Sequence, residues 1–203
     1  MPTSRMTRCR APEANQPMLI RPMNRSEAAR LGELDRTEHV TLAYRWKDGV
    51  LESYPVDWHV PPWPASGGHW SVEARAARLE ELLDSGGSLI GAFDGDRVMG
   101  MASIRHHLTD TMAELDGLHV SAEYRRRGVA TALLAEVEWL ARARGAEALY
   151  VSATPSSSAV GFYLSQGFHL VTAPHPDLLA REPDDIHMVK GLRREPPSPA
   201  QAP

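Results

Sequence analysis

One short segment of the sequence combines a strand, a polar loop and a helix start in the way that anion binding requires. In ELDGLHVSAEYRRRGVATALL (114–134), a strand ends near Val120 and a helix begins at Arg127 and Gly128. A helix N-terminus leaves backbone N–H groups free and carries partial positive charge, which suits a diphosphate. Glycine at position 128 lets an oxygen approach the backbone because no Cβ is in the way. The small side chain of Ala130 keeps the same surface open.

Three consecutive arginines, Arg125, Arg126 and Arg127, add positive charge where a diphosphate or a ribose 3′-phosphate would lie. The pattern Arg-x-x-Gly-x-Ala is short, and taken alone it also fits a basic helix start that binds nothing. The strand before the pattern and the long amphipathic helix after it supply the context that phosphate binding needs. The flanking elements therefore favour a phosphate site.

Together with a second motif, this segment resembles the GNAT superfamily of N-acetyltransferases. The first superfamily motif is Gln/Arg-x-x-Gly-x-Gly/Ala, and it is matched here by Arg125, Gly128 and Ala130. The second is Asn-x-x-Ala-x-x-Phe-Tyr-x-x-x-Gly-Phe, and SSSAVGFYLSQGF matches it at Ala159, Phe162, Tyr163, Gly167 and Phe168. The strand ending Leu118-His119-Val120 is similar to the usual Leu-Tyr-Val, with His119 in place of tyrosine. The resemblance covers about residues 18–192.

The sequence departs from the second motif at its first position, where Ser156 replaces the usual asparagine. Serine caps helices as asparagine does, so the helix start is retained. The side-chain contact that asparagine would make with the pantetheine arm of coenzyme A stays open.

The resemblance implies a mixed α/β fold of the GNAT type, with about seven strands and four main helices, and acetyl-CoA as co-substrate. In the superfamily, the fourth and fifth strands splay apart and the gap receives the pantetheine arm like an added strand. The N–H of Val120 or of its neighbour would polarise the thioester carbonyl. The resemblance implies cofactor contacts for the following residues: Leu118, His119, Val120, Arg125, Arg126, Arg127, Gly128, Val129, Ala130, Ser156, Ala159 and Phe162.

By the same resemblance, Tyr163 is predicted to be the general acid that protonates the departing thiolate. A phenol with its ordinary pKa of about 10 stays protonated at neutral pH and can donate that proton. Without the motif, a tyrosine packed beside Phe162 as part of the core would be the favoured interpretation of Tyr163.

The general base is less clearly marked. Glu114 lies eleven residues before Arg125, which is the offset of the catalytic glutamate in histone-acetyltransferase members of the superfamily. A carboxylate in a partly desolvated cleft has a raised pKa and can deprotonate an ammonium directly or through water. We predict Glu114 as the base, although it fits a solvent-facing strand residue equally well. Asp116, His119 and an ordered water are the other candidates.

The elements that must position these residues form a mixed sheet covered by helices. Strands are predicted at 18–23, 88–94, 97–107, 111–120, 147–153, 167–171 and 185–192, and helices at 24–40, 71–87, 127–144 and 156–166. Ala28, Leu31 and Leu34 are predicted to share one helix face. In 111–120, alternation places Leu115, Gly117 and His119 on one face of the strand and Asp116, Leu118 and Val120 on the other.

Segment 41–70 contains Trp46, Trp58, Trp63 and Trp70 and is predicted to be a partly extended insertion with a hairpin. Tryptophan faces attract cations, so these side chains either line a pocket for an amine acceptor or cover the edge of the sheet. We favour a combination of both roles.

Size and composition indicate a single N-acetyltransferase domain at 18–192, with a disordered leader at 1–17 and a disordered tail at 193–203. The net charge of −4 gives no reason to expect a nucleic-acid partner. No stretch approaches the roughly 18 apolar residues that cross a bilayer, and the N-terminus lacks a secretory signal. The lone Cys9 cannot form an internal disulfide, and the histidines show no zinc-motif spacing. We therefore expect a cytoplasmic protein without a membrane partner or a metal; a homodimer is possible.

The sequence thus predicts an acetyl-CoA-dependent N-acetyltransferase that acts on a primary amine of a small molecule or peptide by direct transfer. The alternative is a non-catalytic acyl-CoA-binding sensor or regulatory domain on the same fold, which Ser156 favours and Tyr163 disfavours. A nucleotide site at the basic turn alone lacks both Gly-x-Gly-x-x-Gly and Gly-Lys-Ser/Thr. The acceptor does not follow from the fold.

Overall fold

The computed structural model describes residues 17–47 and 49–192. The predicted tail, and the predicted leader up to residue 16, lie outside this part of the chain. The strands are β1 (Leu19–Met23), β2 (Glu38–Lys47), β3 (Val50–Val60), β4 (Ser88–Asp94), β5 (Arg97–Arg105), β6 (Met112–Val120), β7 (Ala148–Ala153), β8 (His169–Leu170) and β9 (Ile186–Gly191). The helices are a 3₁₀ helix (Arg25–Glu33), α1 (Val72–Asp84), a 3₁₀ turn (Ala122–Tyr124), α2 (Val129–Ala143), α3 (Ser157–Ser165) and α4 (Pro176–Arg181).

Seven strands form one mixed sheet in the order β1-β4-β5-β6-β7-β9-β8, which confirms the predicted α/β fold with a sheet of about seven strands. β2 and β3 form a separate antiparallel hairpin, as predicted for segment 41–70. The central pair, β6 and β7, is parallel and is joined only where residues 112–114 meet residues 148–150. Beyond these residues the two strands do not pair with each other, so the sheet opens in its middle.

The sheet has a separate hydrophobic core on each face. Alternate residues of β5 show this division, because Ala102 and Ile104 belong to the core under α2 and α3, and Met101 to the core under α1 and the 3₁₀ helix. Helices α1 and α2 therefore approach the sheet from opposite sides. Each aliphatic side chain that is fully buried in either core stabilises the folded state by about 1.5–3 kcal/mol.

The helix predicted at 24–40 is shorter than expected. It is capped by Asn24, whose side chain and that of Glu27 form a capping box, and it ends at Glu33. Residues from Glu38 onward instead belong to β2, where a register shift between Val40 and Leu42 interrupts the alternation of exposed and more buried side chains. The predicted apolar face is confirmed, because Ala28, Leu31 and Leu34 are all buried.

Strand β6 contains a bulge that the alternation rule did not anticipate. Ser103 of β5 lies opposite Gly117, but the next residue, Ile104, lies opposite Leu115, so Asp116 has no partner in the ladder. The predicted faces are therefore wrong for Leu115 and Asp116. Leu115 packs into the core under α2, and Asp116 turns toward α1.

Helix α4 was not predicted. It has only six residues, too few for a helical period to be visible, and begins with Pro176 in the first turn.

Among the described residues, no helix has the length and apolar character needed to cross a membrane.

Candidate active site

The divergence of β6 and β7 opens a cleft of ≈ 710 Å³. This volume lies in the range of small-molecule sites, roughly 300–1,000 Å³. Its walls are residues 115–120 of β6, residues 151–154 at the end of β7, the turn before α2, one side of α3, and parts of the β2–β3 hairpin and the segment after it. Because β6 is unpaired on its β7 side from residue 115 onward, free backbone N–H and C=O groups face this space.

The turn that leads into α2 forms one end of the cleft. Its backbone is left-handed at Arg126 (φ 61°) and Gly128 (φ 83°), and α2 begins at the next residue, Val129. Apart from the adjoining backbone, no described atom lies within 4 Å of the position that a Cβ of Gly128 would occupy. No described side chain caps the helix, so its first N–H groups remain free, and Gly128, Val129 and Ala130 line the cleft. The turn is therefore an open cradle for an anion.

Arg125 fixes this turn to the rest of the protein. Its guanidinium donates hydrogen bonds to the carbonyl oxygens of Thr37 (3.0 Å) and Val120 (3.3 Å). It thereby links the end of β6 to the chain segment that enters β2. Arg125 lines the cleft, but much of its donor capacity is used within the protein.

The structure brings all but one of the residues predicted to contact the cofactor into this cleft. Those that line it are Leu118, His119, Val120, Arg125, Arg126, Gly128, Val129, Ala130, Ser156, Ala159 and Phe162. Arg127 does not line the cleft; its guanidinium instead lies 5.6 Å from the ring centroid of Tyr124. Ser156 caps α3, and its hydroxyl accepts a hydrogen bond from the Ala159 N–H (3.2 Å).

Tyr163 lines the cleft from α3 and is only 6% exposed. Its ring packs between Phe162 and Phe168, with centroid distances of 5.3 Å to each. Its hydroxyl makes no hydrogen bond to a described residue. Burial, and to a smaller extent the negative charge of Asp185, raises the pKa of Tyr163, so the phenol keeps its proton at neutral pH.

The structure does not bring Glu114 into the cleft. Its side chain is 1% exposed, and its carboxylate forms ion pairs with Arg181 of α4 (2.5 Å) and with Arg105 (3.2 Å). This arrangement could not be predicted from the sequence, because α4 itself was not predicted. The position of Glu114 therefore does not support its predicted role as the base.

We expect Glu114→Gln to lower the free energy of unfolding by about 3 kcal/mol, because it leaves Arg181 without its buried partner. The matched control is Glu123→Gln, which breaks an exposed ion pair with Arg97 and should cost about 0–1 kcal/mol. Urea denaturation measures both. A Glu114→Gln variant of unchanged stability that is slow in turnover would restore Glu114 as the base.

Two other candidates for the base, Asp116 and His119, do line the cleft. Burial alone would raise the pKa of Asp116, but its ion pair with Arg78 (2.5 Å) and a hydrogen bond from Ser103 (3.1 Å) hold it below the ordinary value. Burial, with the positive charges of nearby arginines, lowers the pKa of His119 to about 4. Both groups are therefore weak bases.

A further acidic residue, Asp185, lines the cleft and was missed at the sequence level. It lies in the loop between α4 and β9. Burial, followed by the negative charges of Glu182 and Asp184, raises its pKa to about 7, against a smaller opposing effect of Arg181. The only sequence signal is the acidic cluster 182–185 just before the last strand, which is a common surface pattern.

Three of the four tryptophans of segment 41–70, Trp58, Trp63 and Trp70, line the cleft, whereas Trp46 packs against the core under α2. Arginines of the protein itself lie against the rings of Trp63 and Trp70. The guanidinium of Arg36 lies 4.4 Å from the ring centroid of Trp63, and that of Arg75 lies 5.1 Å from that of Trp70. These arginines therefore occupy part of the ring surface that could bind a cationic amine, although Trp70 is still 44% exposed.

Comparisons with known proteins agree with this geometry. Residues 53–168 match the model of the family described as "Acetyltransferase (GNAT) family". Nourseothricin acetyltransferase is 20% identical, with a TM-score of 0.66 over 87% of this chain and 99% of that chain. The PaiA N-acetyltransferase of Thermoplasma acidophilum, solved with coenzyme A, is 18% identical, with a TM-score of 0.57 over the same shares. Aminoglycoside 6′-acetyltransferase type Ii is 23% identical, with a TM-score of 0.51 over 61% of this chain and 81% of that chain. No curated protein matches the chain significantly.

Proposed function

Because the chain belongs to the GNAT acetyltransferase family, we propose that it transfers the acetyl group of acetyl-CoA directly to a primary amine of a small molecule or peptide. One observation carries the proposal: an open anion cradle at the start of α2 and a buried, protonated tyrosine line the same cleft. Similarity to enzymes that acetylate antibiotics, and to a structure solved with coenzyme A, supports the same class of reaction.

The diphosphate of coenzyme A would lie on the free N–H groups at the start of α2. The absence of a side chain at Gly128 and the small side chain of Ala130 leave room for phosphate oxygens there. The exposed Arg126 would add positive charge at the same place. The amides of the pantetheine arm would then pair with the free edge of β6 at 118–120.

Transfer requires a neutral amine, a stabilised oxyanion and a proton for the thiolate. The free N–H groups of β6 supply donors for the oxyanion, and Tyr163 supplies the proton. Asp185 replaces Glu114 as our candidate for the base, because it lines the cleft and interacts with Tyr163 electrostatically. A carboxylate with a pKa of about 7 accepts a proton from an ammonium far better than an ordinary aspartate does.

We expect Asp185→Asn to slow turnover and to remove the rise of kcat/KM with pH near 7, since only the ionised carboxylate acts as a base. The same variant should also differ from the wild type in its stability. The pKa of Asp185 is higher in the folded protein than in the unfolded chain, so the wild type loses stability as pH rises through about 7. Asp185→Asn should therefore raise Tm at about pH 8 but not at about pH 4. An unchanged pH profile would exclude Asp185 as the base.

The direct test combines thermal unfolding with release of free thiol from acetyl-CoA in the presence of a panel of amines. Acetyl-CoA at about 100 times its Kd should stabilise the protein by about 2.7 kcal/mol and raise Tm by roughly 5–10 °C. At least one amine should release thiol. Stabilisation by acetyl-CoA without thiol release by any amine would instead support the non-catalytic acyl-CoA sensor.

A further inference from the structure

Two arginines of the cleft, Arg36 and Arg75, have no anionic partner in the part of the chain that the structure describes. No described carboxylate lies within ion-pairing distance of either guanidinium. Burial lowers the pKa of both side chains; at Arg75 the charge of Arg78 adds to this effect, against smaller opposing effects of the more distant Asp116 and Glu182. A cation that is partly withdrawn from water without a partner costs free energy, which a bound anion would offset.

The neighbouring tryptophans hold these two guanidiniums in place. Arg36 lies 4.4 Å from the ring centroid of Trp63 and 5.3 Å from that of Trp70, and Arg75 lies 5.1 Å from that of Trp70. Stacking on an aromatic face leaves the N–H edge of a guanidinium free and fixes its plane. Such an edge binds a carboxylate with two parallel hydrogen bonds.

The position of Arg75 separates it from the proposed diphosphate cradle. Arg75 belongs to α1, which covers the opposite face of the sheet from α2, where the cradle lies. Both arginines line the cleft together with Gly117 and His119 of β6. The acidic residues Glu182 and Asp185 line the same cleft and suit an ammonium group.

We infer that the acceptor carries a carboxylate beside its amine and that Arg36 and Arg75 bind this carboxylate, an inference that rests on the proposed function. An amino acid or an acidic amine has this combination of groups. A polycationic amine without an acidic group would meet the two guanidiniums as like charges and is disfavoured.

The test measures thiol release with the common amino acids and with their carboxamides, which differ only in the acidic group. We expect the best amino-acid substrate to exceed its carboxamide at least about tenfold in kcat/KM. Arg75→Gln or Arg36→Gln should reduce this ratio toward one, with unchanged affinity for CoA. The control is Arg45→Gln, on the exposed part of the β2–β3 hairpin, which should keep the ratio.

Equal or better turnover of the amides, or a ratio unchanged in both arginine variants, overturns the inference. If no amino acid releases thiol while CoA still binds, the inference is also overturned, and the proposed function remains in place. Absence of CoA binding would overturn the proposed function itself, and this inference with it.

A separate observation concerns the face of the β2–β3 hairpin that points away from the cleft. His39 of β2 lies directly opposite His59 of β3, and Asp57 is two residues before His59 on the same face. The two imidazole rings are stacked with centroids 4.4 Å apart and planes at 6°. The Nε2 atom of His39 lies 2.7 Å from Oδ1 of Asp57, and Nε2 of His59 lies 3.3 Å from the same oxygen.

These three side chains have the chemistry of a transition-metal site. One ligand atom from each lies within 4.8 Å of the other two, and all three side chains are exposed. Imidazole nitrogens bind Zn²⁺ at about 2.0–2.1 Å and carboxylate oxygens at about 2.0–2.2 Å, so small shifts would place an ion between them. Two histidines and one carboxylate leave a position open for water.

We propose that His39, Asp57 and His59 bind a zinc-like divalent ion that joins β2 to β3. The neighbouring cross-strand pair, Val40 and Trp58, lines the cleft from the other face of the hairpin. An ion at this site would therefore stiffen one wall of the cleft without entering it.

Isothermal titration of the full chain, without an affinity tag, with zinc chloride tests the site. We expect one ion per chain, and at least tenfold weaker binding in the double variant His39→Ala/His59→Ala. The control is His169→Ala, an exposed histidine on β8, which should bind as wild type does. Absence of zinc binding by the wild type, or equal binding by the double variant, would show that the histidines and Asp57 form only a hydrogen-bonded cluster.

Discussion

Tyr163→Phe is expected to lower kcat by about 10²–10³-fold, because general acid catalysis by a positioned side chain contributes about 10²–10⁴-fold. The tyrosine lines the cleft, and burial together with Asp185 keeps its hydroxyl protonated. The hydroxyl has no hydrogen-bond partner among the described residues, and the ring is held by Phe162 and Phe168. Phenylalanine therefore preserves the packing, and stability and CoA affinity should be unchanged.

The control for this change is Tyr150→Phe. Tyr150 is also buried, but its hydroxyl accepts a hydrogen bond from the backbone N–H of His175 (3.2 Å), and it does not line the cleft. Its variant should lose some stability and keep its turnover. Steady-state thiol release and urea denaturation measure the two effects. Wild-type turnover by Tyr163→Phe would remove Tyr163 from the mechanism.

Gly128→Ala is expected to weaken CoA binding at least about tenfold. The glycine has φ 83°, and an added Cβ would project into open space at the cradle, where a phosphate oxygen is proposed to lie. A left-handed alanine also costs about 1–2 kcal/mol of stability, so binding must be separated from folding. Titration calorimetry with CoA measures the binding.

The chain offers a matched control at the other end of the same helix. Gly145 has φ 85°, its Cβ position is equally free of neighbours, and it does not line the cleft. Gly145→Ala should therefore lose a similar amount of stability with no loss of CoA affinity. If the two variants bound CoA equally well, the diphosphate would not lie on the turn before α2.

The cradle and α3 could be predicted from the sequence because both are local structures. A strand end, a glycine with a left-handed backbone and an amphipathic helix occupy consecutive positions at 114–134, so their order in the chain is their order in space. The cap of α3 by Ser156 and the position of Tyr163 in that helix follow in the same way.

The acid–base chemistry could not be predicted in this way, because it depends on contacts between distant segments. A bulge at Asp116 reverses the side-chain alternation of β6, and Arg181 of α4 pairs with Glu114. Asp185 reaches the cleft only because the chain runs from α4 back into β9 beside β7. None of these contacts has a fixed sequence spacing.

The same limit applies to the insertion and its surroundings. The sequence predicted a hairpin and tryptophans that line a pocket, cover the sheet edge or do both, but not that Arg36 and Arg75 would lie against two of them. His39 and His59 lie on different strands and are brought together by the register of the hairpin. A search for zinc motifs in the sequence cannot find such a pair.

The proposed function depends above all on backbone amides at the start of α2 that bind the diphosphate of coenzyme A. Titration calorimetry of the wild-type protein with CoA and with pantetheine, which has the same arm but no phosphate, tests it most directly. We expect one CoA bound per chain and binding of pantetheine that is at least about a hundredfold weaker, since the charged contacts are absent. Absence of heat with CoA, or equal affinity for the two compounds, would contradict it.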